Sequence, residues 1–278
     1  MIEKILRVSK EGYMEFLFSK KLIIIIFSIV FLYEDVTGKM IKLAYDTSFT
    51  INIIEPYILI LSYRIHAMVV PLTFIVVMSD FPNINRSGYF VLSRIDRFSW
   101  FFGEVLSSFF SALTFLFILA AANALCCLKV ASSGTDWSPY ITELYGVNRE
   151  AYDLNNQLFI KTETVAQGTP VIVFIHATLL MLLFLVSISL FLACFKMIGQ
   201  KRLGVFSIMS ITILGMLAKG RLKWAFPINH CIYAQHFNAY FAATECRIIY
   251  SYLFFIVLNA TLLIIDMILC KHYSISEN

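Results

Sequence analysis

Charge is what this 278-residue chain has least of. Asp, Glu, Lys and Arg make up 14% of it, where soluble domains carry about 25%. Hydrophobic residues make up 59%, against about 45–50% in soluble domains, and the mean hydropathy is +0.79. A soluble fold of this size could not hide that much apolar surface, so the expected solvent is a bilayer. The net charge of +4 is spread over several loops and gives no reading of nucleic-acid binding. Catalytic motifs are missing as well. There is no GxxxxGK followed by Ser or Thr, so the chain does not bind ATP by that route. There is no GxSxG. The five histidines, His66, His176, His230, His236 and His272, form no HExxH. His230 and His236 are six apart, the wrong spacing for one helix face, and neither has an adjacent Glu. These absences argue against an intramembrane enzyme and leave a transporter, a channel or a structural membrane subunit. No CxxC spacing occurs. The cysteines at 126, 127, 194, 231, 246 and 270 read as small hydrophobes in or near apolar runs, with a Cys231–Cys246 disulfide left open. The first twenty residues lack an apolar core and a small-residue cleavage site, so no cleavable signal peptide is expected.

Long apolar runs are abundant. About 20 mainly apolar residues cross a bilayer as a helix. Residues 57–79, 101–128, 171–195 and 248–270 meet that length. Residues 22–33 are shorter and recruit Lys20 and Lys21, whose stems snorkel. Residues 203–218 are a short fifth span in chain order, making six in all. Pro71 predicts a kink in the second span. Residues 34–56 read as a loop, and 129–169 as a polar, acidic one with Asp136, Glu143, Glu150, Asp153 and Glu163. Ahead of the first span, Ile2, Ile5, Leu6, Val8, Tyr13, Phe16 and Leu17 mostly share one helical face. Glu3, Lys4, Arg7, Lys10 and Glu11 lie opposite. That pattern predicts an interfacial amphipathic helix over 1–19, lying on membrane lipid.

A polar island, Asp80 to Trp100, stands between the second and third spans: DFPNINRSGYFVLSRIDRFSW. A polar helical stretch clamped between two spans is where a partner can push a transporter. Lys and Arg counts orient the chain. Five lie in residues 1–21 (Lys4, Arg7, Lys10, Lys20, Lys21) and three in the island (Arg86, Arg94, Arg97), so both are expected in the cytoplasm and 129–169 outside. Lys196, Lys201 and Arg202 agree. Lys219, Arg221 and Lys223 do not, because six spans put them outside. Charge alone favours five spans, with 203–218 not crossing.

The run SDFPNINRSGYFVLSRIDRFSWFFGEVLSS, residues 79–108, resembles the "SDFPR…G…LSRIGR..W..G..L" run of bacterial ABC-2 type (type V) ABC transporter permeases. Upstream INIIEPYI, residues 51–58, is similar to their "N..EP.I" segment. The motif is specific only over 79–108, while the order of elements is shared along the whole chain. The resemblance implies an all-α polytopic membrane protein of the bacterial cell membrane. It implies an N-terminal interfacial helix, six transmembrane helices, a cytoplasmic coupling helix between spans two and three, and a cytoplasmic C-terminus. It also implies a re-entrant outer segment over 219–246. ATP and Mg would sit in a separate ABC ATPase subunit, with no cofactor, metal or catalytic residue in this chain. A second permease, the same chain or a sister, would complete the transporter. The cargo would be a peptide, antibiotic or lipid-like compound. In such a coupling helix Tyr89, Phe90, Leu92 and Ile95 would form the ridge that seats in the ATPase. Arg86, Arg94, Asp96 and Arg97 would supply its charges, and Asp80, Pro82 and Gly88 its entry turn. The plain alternative is a charged loop at headgroup level.

Ionisable residues inside spans are functional candidates by default. Glu104, one turn into the third span, has two readings: structural pairing with Arg97 or Lys201, or a gating or substrate role. Arg64 reads as snorkelling, Asp266 as locally paired or solvated near Lys271, and His176 as a satisfied helix histidine.

Overall fold

The computed structural model describes residues 1–82, 95–132, 134–139, 141–142, 162–238 and 243–272. Helix α1 (Ile2–Leu17) is followed by α2 (Leu22–Leu32), a π-turn (Tyr33–Thr37) and α3 (Gly38–Thr47), the last three forming one continuous rod. Strand β1 (Ile51–Asn52) precedes α4 (Glu55–Ser62) and α5 (Arg64–Val77). Helix α6 (Arg97–Cys127) leads to β2 (Ala131–Ser132), which pairs in parallel with β1, Ile51 opposite Ala131. Then come α7 (Thr162–Val165), α8 (Pro170–Met197) and α9 (Lys201–Leu217). A connector follows: a 3-10 turn (Gly220–Ala225), α10 (Pro227–Cys231), a second 3-10 turn (Tyr233–His236) and the hairpin β3 (Phe237–Asn238) with β4 (Ala243–Thr244). Helix α11 (Ile248–His272) is last.

Three of these helices, α6, α8 and α11, are long and apolar enough to cross a membrane. The number rises to five if α1 with α2–α3 and α4 with α5, each pair bent, count as one span apiece. The composition thus has its helices, and the chain is an all-α membrane protein at that level of description.

Two expectations change. Residues 34–47 are helix, not loop. Several polar side chains there are held within the rod or against its neighbours: Lys39 pairs with Asp35 one turn back at 2.6 Å, and Asp35 also meets His66 Nε2 at 2.6 Å. Thr37 donates to Asn123 of α6, inside the core. The rod ends at Ser48, whose φ of +61° is the left-handed conformation that terminates helices. The second change concerns the kink. Pro71 lies inside α5, and the 88° bend falls at Tyr63, which is extended at φ −87°, ψ 128°. Tertiary contacts fix it there: Arg64 Nη2 donates to Gln235 Oε1 at 3.1 Å, while His66, two residues on, is held by Asp35.

The helices run alternately between two ends of the bundle. Lys21, Asp80, Lys196 and Lys201 meet at one end, where Arg97 also touches the end of α11 through the Lys271 carbonyl. Arg64 with Gln235, Asn52 with the Gly134 and Asp136 carbonyls, and Ser251 with His230 mark the other. Between them lies a core of aromatic pairs such as Phe74–Phe115 and Phe184–Phe255, with centroids 5.7 and 6.1 Å apart. In lipid, such packing and interhelical hydrogen bonds hold helices together, each bond contributing about 0.6 kcal/mol on average. Ser187 with Asn259 at 2.9 Å joins α8 to α11 in this way.

Helix α1 presses its Val8–Ser9–Phe16 face along the first turns of α6. Gly103 makes the approach possible, because a Cβ there would stand 2.6 Å from Val8 Cβ and 2.9 Å from the Ile5 carbonyl oxygen. A Cβ on Gly12 would likewise meet Ser107 Oγ at 2.7 Å. Further along, Tyr13 and Thr114 hydroxyls lie 2.8 Å apart. All six cysteines are free, so Cys231 and Cys246 form no disulfide. Cys127, Cys231 and Cys270 are buried, as their apolar surroundings predict, whereas Cys126 is exposed at the end of α6.

Candidate functional site

Asp80 follows α5 by three residues, and its carboxylate gathers lysines from distant parts of the chain. Lys21, at the entrance to α2, pairs with Oδ2 and donates to Ser79 Oγ at 2.8 Å. Lys201, the first residue of α9, pairs with Oδ1. Lys196, in the last turn of α8, donates to the backbone carbonyls of Asp80 and Pro82. The Lys201 and Lys21 ammonium groups, in that order, hold the Asp80 carboxyl down to about 2. One residue therefore ties together the ends of α5, α2, α8 and α9.

The described chain resumes at Ile95, which is half-buried against the core. Asp96 caps α6: its carboxylate accepts from the Ser99 N–H at 3.0 Å, and that bond lowers its pKa. Arg97 donates to the Lys271 carbonyl near the end of α11, and Lys271 sits 5.8 Å above the Phe98 ring. Both flanks of the stretch between Pro82 and Ile95 are thus fastened to the bundle. Arg86, Gly88, Tyr89, Phe90, Leu92 and Arg94 lie outside the described residues. Of the charges assigned to the island, Asp96 and Arg97 have partners within the chain itself.

Beside Asp80 a cavity of about 90 Å³ opens between α1, the end of α5 and the start of α6. Gly12, Glu15, Lys21, Glu104 and Ser107 are among its walls. Glu104 is 6% exposed. The expected pairing with Arg97 or Lys201 is not made, because Arg97 is taken by the Lys271 carbonyl and Lys201 by Asp80. Asp266 also departs from expectation. It is fully buried, and among the described residues neither carboxylate oxygen has a hydrogen-bond partner. The local pairing expected from Lys271 fails because Lys271 lies five residues on, away from the same helix face, and turns toward Phe98. His176 is satisfied, with Nδ1 2.8 Å from the Tyr252 hydroxyl.

Sequence reasoning assigned Asp80 only a turn and found none of its lysines, which gave no local signal beyond lying at span ends. It also separated His230 from His236, which the fold brings to one hydroxyl, Ser251. Among the described residues no group of three or more His, Cys, Asp or Glu is placed to hold a metal ion. Comparison of the chain with known protein families, curated proteins and solved structures gave no match.

Proposed function

We propose that this chain is the membrane-spanning permease subunit of an ATP-driven transporter of the ABC-2 type, with the six-span arrangement that its motif implies. A separate ATPase subunit would seat on residues 86–97, and a second permease would complete the translocation path. The likeness of residues 79–108 to that family gives the class, and with it an exported peptide, antibiotic or lipid-like cargo at the bacterial cell membrane. The observation that carries the reading is the fastening of that stretch at both ends. A displacement of it pulls on α2, α8 and α9 through Asp80 and on α11 through Arg97. A loop with no mechanical role needs no such attachment. The alternating helix directions fit the rest, with Asp80 and the end of α11 at the cytoplasmic end. The test is charge reversal within the stretch itself. Arg86→Glu with Arg94→Glu replaces attraction to an acidic ATPase surface by repulsion. Losing desolvated interface charges costs roughly 2–5 kcal/mol. That is about 30-fold to several-thousand-fold in affinity. The ATPase should stop copurifying while membrane levels of the permease stay normal. Undiminished association and transport-linked ATPase activity would overturn the reading.

A further inference from the structure

At the end of the bundle opposite Asp80, two histidines of the connector close on one hydroxyl of α11. Ser251 Oγ lies 2.8 Å from His230 Nδ1 and 2.7 Å from His236 Nε2. Ser251 is fully buried, and the two rings are 5% and 1% exposed. The outer nitrogen of each ring faces a backbone carbonyl: His230 Nε2 that of Trp224 at 2.8 Å, His236 Nδ1 that of Tyr233 at 3.1 Å. A carbonyl only accepts, so both of those nitrogens carry hydrogens. In a neutral imidazole the remaining nitrogen is then a bare lone pair. Both lone pairs point at the same serine, and a hydroxyl has a single hydrogen to give. With both rings neutral, one of the two contacts holds no proton. One added proton completes the set. The ring that takes it donates to Ser251 Oγ, and Ser251 donates to the other ring. A second proton would leave two cationic rings across one oxygen.

We propose that His230, Ser251 and His236 form a binding site for a single proton, shared by the two rings through the serine hydroxyl. This goes beyond the transport reading and does not depend on it. The surroundings suit one positive charge. Trp224 lies 5.3 and 5.4 Å from the two rings, and Phe254 stacks on His230 at 4.1 Å, so π-faces are offered to a cationic ring. Lys223, also beside Trp224, opposes it, but its charge is paired with Glu245. The Cys246 thiol approaches Ser251 from the hairpin side. From α8, His176 stacks on Tyr233 and meets Tyr252 of α11. From α5, Arg64 engages Gln235. Burial pushes both histidines down, His236 to about 4, which places proton uptake on the acid side of neutrality.

The test is ¹⁵N NMR of the histidine side chains in the intact chain in lipid nanodiscs, from pH 8 to pH 3, assigned through single His→Gln variants. At pH 8, His230 should carry its hydrogen on Nε2 and His236 on Nδ1. On acidification one uptake step should appear at both rings together. A second should come at least tenfold weaker, about one pH unit lower or more. Independent titration of the two rings, no uptake above pH 3, or reversed tautomers at pH 8 would each overturn the proposal. Ser251→Ala should split the shared step into two separate ones. In His236→Gln the amide N–H completes the network without a proton, so His230 should protonate at lower pH than in the parent chain. Unchanged His230 titration there would equally sink the idea.

Discussion

Asp80 shows how much one carboxylate can organise. Its partners are 59, 116 and 121 positions away in the chain, so no window of sequence contains the site. Sequence shows an Asp two residues ahead of a Pro and predicts a turn, which is all that local chemistry dictates. The folded environment adds a pH signature. A carboxyl held at about 2 in the fold and near an ordinary value of about 3.9 when unfolded contributes stability above the unfolded value. That contribution is lost as pH falls through about 2. Asp80→Asn should therefore lower the melting temperature of the detergent-solubilised protein at pH 7. The gap to the parent chain should hold down to about pH 5 and narrow below it. Asp80 and Lys201 are both 46% exposed, so each bridge is worth no more than about 1 kcal/mol. A gap that is the same at pH 7 and pH 3 would show that the bridges contribute nothing.

Between elements, contact depends on small residues and on where helices break. The amphipathic pattern of residues 2–17 was legible as a helix, but its seat on α6 was not. That seat needs a bare Cα at Gly103, and glycine in a long apolar run gives no sign of which neighbour it admits. Gly103→Leu should drive α1 off, since overpacking of this kind costs typically about 1–3 kcal/mol. Limited proteolysis should then cut the N-terminal segment faster while α6 to α11 stay protected. Equal protection of that segment in both proteins would mean that α1 does not rely on this contact. The bend in the α4–α5 pair was misplaced for a related reason. Proline is a strong local signal, but a helix interior tolerates it where neighbours support the freed backbone, and here tertiary contacts at Arg64 and His66 set the break eight residues earlier. Pro71→Ala should leave the angle unchanged in spin-label distances across Tyr63. Arg64→Met should broaden those distances.

For the whole molecule, the hydropathy pattern fixed the class and most helix positions, because apolar length is all a bilayer requires. What it left open was whether residues 203–218 cross, since charge counting favoured five spans. The fold places α9 alongside α5 and α8, starting at the Asp80 end and finishing against the connector. Its start and the end of α11 lie at one end of the bundle. On the transporter reading, which puts that end in the cytoplasm, a reporter fused after Asn278 should be active only inside the cell. Activity only outside would restore the five-span arrangement.

Cys126 and Cys127 stand side by side at the end of α6, one exposed and one sealed in the core. The pair is a built-in gauge of sidedness that needs no engineering. With that end outside, as the proposed arrangement has it, a membrane-impermeant maleimide applied to intact cells should tag Cys126 and spare Cys127. An impermeant amine-reactive reagent should leave the lysine-rich end of the bundle, at Lys21, Lys196 and Lys201, unlabelled until the membrane is opened. Hydrophobic thiol reagents, arriving through lipid, should lose that discrimination between the two faces while still failing at Cys127.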